Sequence, residues 1–200
     1  SIVAHLREDR RHINESDIRR LRKIVKTRLN LEMSLNEEIV RIALLVKPHQ
    51  ATLVPERRRE ITTEGGLDVV RHFMRIKKTV SVLERAGIAT SLFVNPAGEQ
   101  IDRSQETGAR VVELHTGAYD RAKTKTQRAK ELNRILEMTQ YARSLGLTVN
   151  AGHGLKYHNV EAIARIPGIE ELNIGHSIIS HAVFVGLEQA VREMANIVHG

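Results

Sequence analysis

Five residues of this sequence pair acid/base or anion-binding chemistry with strand-like surroundings: His5, Arg7, Glu32, Glu113 and His153. In Leu29-Asn30-Leu31-Glu32-Met33, strand alternation puts Asn30 and Glu32 on one face and the apolar residues on the other. Glu113 and His115 share a face in Val111-Val112-Glu113-Leu114-His115 in the same way. Parallel strands buried on both sides are apolar almost throughout, so polar residues inside them are the informative exceptions. Carboxyls and imidazoles gathered in a partly desolvated pocket suit proton transfer, because burial lifts a carboxyl towards neutrality, where imidazole already titrates. Any one of them alone reads equally well as a satisfied strand-end polar residue. A metal held by His5, Glu32 and His153 is conceivable, but no His-x-His or His-Glu-x-x-His spacing supports it, so no metal is expected.

Two further segments, Val149-Asn150-Ala151-Gly152-His153-Gly154 and Leu172-Asn173-Ile174-Gly175-His176, read as apolar strands that each end in a Gly-His pair. Such an end offers bare backbone and an imidazole at the carboxyl edge of a sheet, where α/β folds bind ligands. With a helix following each, backbone N–H groups there suit phosphate. The stretch Thr62-Thr63-Glu64-Gly65-Gly66, ahead of a helical segment, is a weaker candidate for gripping a phosphate or a sugar hydroxyl.

The elements that must position these residues alternate along the whole chain. Strand-like runs occur at Ile2–Leu6, Arg28–Met33, Ala51–Val54, Thr90–Val94, Val111–His115, Thr148–His153 and Glu171–His176. Helical spacing separates them, as in Ile18, Leu21, Ile24, Val25 and in Ile39, Ile42, Ala43, Val46. Leu132, Ile135, Leu136 and Leu145 form another stripe, and Val183, Leu187, Val191, Met194 and Val198 mark a last helix. Ser34-Leu35-Asn36-Glu37 resembles a capping box, and Asn95-Pro96 a cap before a first-turn proline. Repeated βα units without a linker predict one α/β domain over residues 1–200 with a parallel sheet, open or closed. Seven strands are countable, and a closed eight-stranded barrel needs one more unit of roughly 30 residues.

Composition agrees and narrows the function classes. Aromatics are 3% of residues, with no Trp, so aliphatic side chains must build the core, as suits a β/α barrel. The absence of Cys rules out disulfide and thiolate chemistry and makes a reduced, cytoplasmic setting the expectation. No run is long and apolar enough for a membrane span, and no signal-peptide pattern opens the sequence. The net charge of +7 admits nucleic acid as a partner. However, the basic groups around Arg7–Arg11 and Arg57–Arg59 are interleaved or flanked by acids and lack stacking aromatics, so none is expected.

Taken together, seven blocks resemble the pyridoxine 5′-phosphate synthase family, which closes the ring in de novo vitamin B6 synthesis. They are the run from His5 to Ile13, Asn30-Leu31-Glu32-Met33, Leu53-Val54-Pro55-Glu56, the run from Thr62 to Val69, Glu113-Leu114-His115-Thr116-Gly117, the run from Val149 to Leu155, and Glu171-Leu172-Asn173-Ile174-Gly175-His176. The resemblance implies a (β/α)8 TIM barrel assembled as a homo-octamer. It implies condensation of 1-deoxy-D-xylulose 5-phosphate with 3-amino-2-oxopropyl phosphate to pyridoxine 5′-phosphate, inorganic phosphate and water, with no cofactor. On matching positions, His5 and Glu32 would accept protons, His153 would donate one, and Glu113 would stabilise transition states. Arg7, His12 and Thr62 would contact deoxyxylulose phosphate, and Gly154, Gly175 and His176 would seat the aminoketone phosphate.

The sequence departs from that family at its start, which falls in the family's second strand. A first βα unit with an Asn, an Asp-His pair and an Arg is therefore expected to be missing from the sequence. Two other readings stay open. A phosphosugar aldolase or isomerase would want a strand-end lysine, for which only Lys47 and Lys156 come near. A non-catalytic subunit binding phosphorylated metabolites would need only the phosphate seats.

Overall fold

The computed structural model describes residues 1–56 and 65–200. Strands β1 (Ile2–His5), β2 (Leu29–Met33), β3 (Gln50–Leu53), β4 (Ala89–Val94), β5 (Val111–His115), β6 (Thr148–Gly152) and β7 (Ile169–Asn173) form one sheet in chain order. Every neighbouring pair is parallel. Between and after them lie α1 (Glu15–Ile24), α2 (Glu37–Val46), α3 (Phe73–Arg85), α4 (Gly98–Glu106), α5 (Gly117–Arg121), α6 (Lys125–Ser144), α7 (Val160–Ala164), α8 (His176–Val185) and α9 (Leu187–His199).

The sheet curls into a bowl. Arg28, at the foot of β2, spans to Glu171 of β7 at 3.1 Å, and the carboxyl of Glu113 on β5 is close enough to feel that of Glu32 on β2. The outer faces of the strands carry Leu29, Leu31, Met33, Ala51, Leu53, Leu92, Val112, Leu114, Val149 and Ala151, all fully buried in one aliphatic core with the helices. A fully buried aliphatic side chain of this size stabilises the fold by ~1.5–3 kcal/mol, so this layer holds the bowl's shape. The inner face is polar: Arg28 donates to Gln50, Gln50 to Thr52, and Thr52 to Asn30, at 3.2, 3.5 and 2.9 Å.

The stripe expected on α2 is buried throughout, at Ile39, Ile42, Ala43 and Val46. Other expectations need correction. Asn36 rather than Ser34 caps α2, accepting from the Glu38 amide at 2.9 Å, while Ser34 donates to Glu8. Asn95 does not cap α4, which starts at Gly98, because its Oδ1 accepts from the Gly66 amide and faces Nδ1 of His115. The predicted last helix is two helices, broken at Gly186, whose φ of 85° no helix accommodates. The apolar stripe through the break is largely outward: Val183, Leu187 and Val191 are exposed and Met194 is buried.

Candidate functional site

The carboxyl ends of the strands form the rim of the bowl, and it is built from two kinds of material. On the β1–β3 side the rim is made of charged side chains. His5, the last residue of β1, lies opposite Glu32 in the β1–β2 register. Its Nδ1 is 3.7 Å from Glu32 Oε2, and its Nε2 is 3.7 Å from Oε2 of Glu56, just past β3. The imidazole therefore stands between two carboxyls. Arg7 follows β1 and is buried, with Nε on Asp9 at 3.3 Å and Nη2 at 3.8 Å from Glu56. Among the described residues, Arg7 Nη2 has no hydrogen-bond partner.

Burial here sets the protonation states. It lowers His5 to about 4, with the Arg7 guanidinium adding to the effect, so the imidazole is neutral at pH 7. Burial pushes Glu32 well above the ordinary carboxyl range. Glu113 is raised by burial first and by the nearby Glu32 charge second, because two carboxyls in one dry bowl resist ionising together. Asn173 on β7 donates to Glu113 Oε2 at 2.5 Å, which fixes its orientation across the bowl.

On the β5–β7 side, backbone and imidazoles take over. His153 follows β6 with φ of 74°, a left-handed conformation rare outside glycine, and Thr116 donates to its carbonyl. Its ring lies 5.0 Å from that of His115, centroid to centroid. His115 is buried and lowered to about 4, by burial first and then by His153 and Arg121. A Cβ on Gly152 would lie 2.1 Å from Glu113 Oε1, so any side chain there would displace that carboxyl. Gly154 has φ of 78°, and a Cβ on it would press Asp120 at 2.8 Å. Gly175, in contrast, is a position where an added Cβ would meet nothing within 4 Å among the described residues.

Of the residues expected from the sequence, the structure brings His5, Arg7, Glu32 and Glu113 to one bowl. His153 and Gly154 come to its β6 rim. His12 is exposed on the loop between β1 and α1. Thr62 lies outside the described residues. Gly175 and His176 do not end a strand, as β7 stops at Asn173; Gly175 caps and His176 opens α8, and both are exposed. Three contributors do not stand out in the sequence. Glu56 figures there only within a resembling block, Asn95 reads as a helix cap, and Asn173 as a strand residue. Their inward placement on a rim that also holds polar neighbours is the one signal that could have marked them. Among the described residues, no three His, Asp or Glu side chains gather as a metal site, and no helix is long and apolar enough to cross a membrane.

The family model for the pyridoxal phosphate biosynthesis protein PdxJ matches residues 1–200. A pyridoxine 5′-phosphate synthase of Synechococcus sp. (strain JA-2-3B'a(2-13)) is 59% identical, over 96% of this chain and 81% of its own length. One from Gloeothece citriformis (strain PCC 7424) is 53% identical, over 100% of this chain and 83% of its own. Among solved structures, the tryptophan synthase A-subunit of Pyrococcus furiosus is similar with a TM-score of 0.58 and 14% identity, over 92% of this chain and 70% of that one. A 4-hydroxy-2-oxoglutarate aldolase is similar with a TM-score of 0.62 and 10% identity, over 98% and 80%. These two likenesses bear on the fold alone, and it is that of a TIM barrel.

Proposed function

The chain belongs to the PdxJ family of pyridoxal phosphate biosynthesis proteins, and from that premise we propose that the bowl is where two phosphorylated substrates are closed into a pyridine ring. The chain is an enzyme of vitamin B6 biosynthesis, a pyridoxine 5′-phosphate synthase. The substrates proposed are 1-deoxy-D-xylulose 5-phosphate and 3-amino-2-oxopropyl phosphate, and no cofactor is invoked. Joining them takes imine formation (C=N made, water lost), elimination of phosphate (C–O broken) and an aldol-type closure (C–C made, water lost), each of which needs proton transfer at carbon, nitrogen or oxygen.

In this reading neutral His5 takes a proton, and Glu32, whose raised pKa lets it exchange protons near neutrality, takes another. His153 supplies a proton to a leaving oxygen. Glu113, held largely protonated by burial, donates a hydrogen bond to charge developing on the ring. Arg7, whose Nη2 has no hydrogen-bond partner among the described residues, His12 and Thr62 hold the deoxyxylulose phosphate; a guanidinium suits this because it offers paired donors to a phosphate. Gly154, Gly175 and His176 seat the second phosphate near the opening turn of α8, where no side chain caps the helix.

The observation that best supports the assignment of roles is the bracketing of His5 by carboxyls, together with Glu32 and Glu113 raised in the same bowl. A Schiff-base aldolase fits less well, because Lys156 is tied to both oxygens of Asp120 at 2.7 and 2.8 Å. We further propose a cytoplasmic homo-octamer. The outward Ile179, Val183, Phe184, Leu187 and Val191 on α8 and α9 support self-association. The test is to incubate the purified protein with both substrates. One pyridoxine 5′-phosphate and one inorganic phosphate per turnover are expected, and a protein that binds both substrates without forming a ring would contradict the proposal.

A further inference from the structure

Glu56 is a buried carboxyl that the roles above leave unused. Its side chain is 4% exposed. Oε1 accepts the Glu8 amide at 2.8 Å and lies 3.8 Å from Arg7 Nη2. Oε2 has no hydrogen-bond partner among the described residues and sits 3.7 Å from His5 Nε2. Burying a carboxyl oxygen without a hydrogen bond is costly, and the group this one faces is the proposed base.

We infer that Glu56 is a positioning residue for His5, holding the Nε2–H edge of the imidazole so that Nδ1 is the atom that takes the proton. The inference rests on the proposed role of His5. Two carboxyls compete for this ring, and their surroundings differ. Burial raises Glu32, and among the described residues its carboxyl accepts no hydrogen bond that would offset this. Glu56 is also raised by burial, but the Glu8 amide and Arg7 pull it back towards ionisation, against weaker opposition from Glu8 and Asp9. The other charged or titratable groups acting on His5 are Arg7, Asp9 and His12. The carboxyl that already accepts the Glu8 amide and faces Arg7 is the better acceptor for the imidazole N–H, so the proton sits on Nε2 facing Glu56 and the lone pair on Nδ1 faces Glu32. At 3.7 Å the Glu56 contact is electrostatic and not yet a hydrogen bond. It strengthens when Nδ1 is protonated, since the imidazolium N–H is a stronger donor towards the Glu56 carboxyl.

Glu56→Gln tests this, because the amide oxygen still accepts from Glu8 while an NH2 donor replaces the acceptor oxygen that faces His5 Nε2. Measured on the full-length protein, kcat should fall about 10²-fold, with both KM values changed by no more than about twofold. A variant with wild-type kcat, or one whose KM values rise as steeply as kcat falls, would overturn the inference. A wild-type protein that forms no ring in the same assay would instead overturn the proposed function. A second measurement needs no variant: 15N shifts of the His5 ring in the wild-type protein should report the Nε2–H tautomer. The Nδ1–H tautomer would overturn the inference even if Glu56→Gln fails to fold.

Discussion

At the ends of β1 to β3, His5, Arg7 and Glu32 are each held or faced by another side chain, whereas at the ends of β6 and β7 the chain gives up side chains for Gly152, Gly154 and Gly175. The first region can be tuned, because burial and charged neighbours together set the protonation of its groups. The second region makes room. Gly152 clears the space for Glu113, Gly154 lets the backbone turn against Asp120, and Gly175 leaves the start of α8 open. On the proposed roles, the first flank carries the proton-accepting His5 and Glu32 beside one phosphate, and the second seats the other phosphate with His153 as proton donor.

The comparison breaks most visibly at Gly152. In Gly152→Ala the new methyl would displace Glu113 and press Asn173 at 3.1 Å. Overpacking of this kind costs ~1–3 kcal/mol, readable as a lower denaturant midpoint. Turnover should drop at least ~10²-fold as Glu113 loses its place.

The next effect is on pH. Because the folded-state values of Glu32 and Glu113 are raised, their contribution to stability is full below the ordinary carboxyl range and is lost as pH rises through the raised values. Glu113→Gln should therefore unfold at a higher denaturant concentration than wild type at alkaline pH and show little gain at pH 5. His5 and His115 act in the opposite sense. Their lowered values add stability above 6.5 that is lost as pH falls towards 4. His115→Gln should flatten that acid limb in a pH series of thermal melts.

The smallest effect on stability sharpens the comparison. Gly175 has an ordinary negative φ of −117°, and a methyl added there would meet nothing within 4 Å, so Gly175→Ala should leave stability within ~0.5 kcal/mol. The KM for 3-amino-2-oxopropyl phosphate should nevertheless rise roughly tenfold, because a methyl would intrude on the backbone seat. Gly154→Ala should not show this separation, since its φ of 78° makes any side chain there destabilising as well.

Much of this layout is readable from the sequence. Strand alternation alone puts Glu32 and Glu113 on the inner face, because the aliphatic residues beside them need the helices. The strand count and the parallel order follow from the repeating βα pattern. What escapes the sequence depends on contacts distant along the chain. Glu56 matters through Glu8, 48 residues away, and Asn173 through Glu113, 60 residues away. The stripe from Val183 to Val198 reads as one buried helix because helical spacing says nothing about which neighbour covers a face. Gly186 is the local sign of the break, and its importance emerges only with the positive φ. His176 reads as a strand end because Leu172-Asn173-Ile174 continues the apolar run. The ladder stops at Asn173, however, and the chain turns into α8.

The division between the two flanks is tested most directly by Glu32→Gln, measured both for turnover and for binding of 1-deoxy-D-xylulose 5-phosphate by calorimetry. If the β1–β3 flank moves protons, kcat should fall by at least about 10²-fold while the dissociation constant stays within about threefold of wild type. A variant that keeps its turnover, or that loses binding as steeply as it loses turnover, would contradict the account.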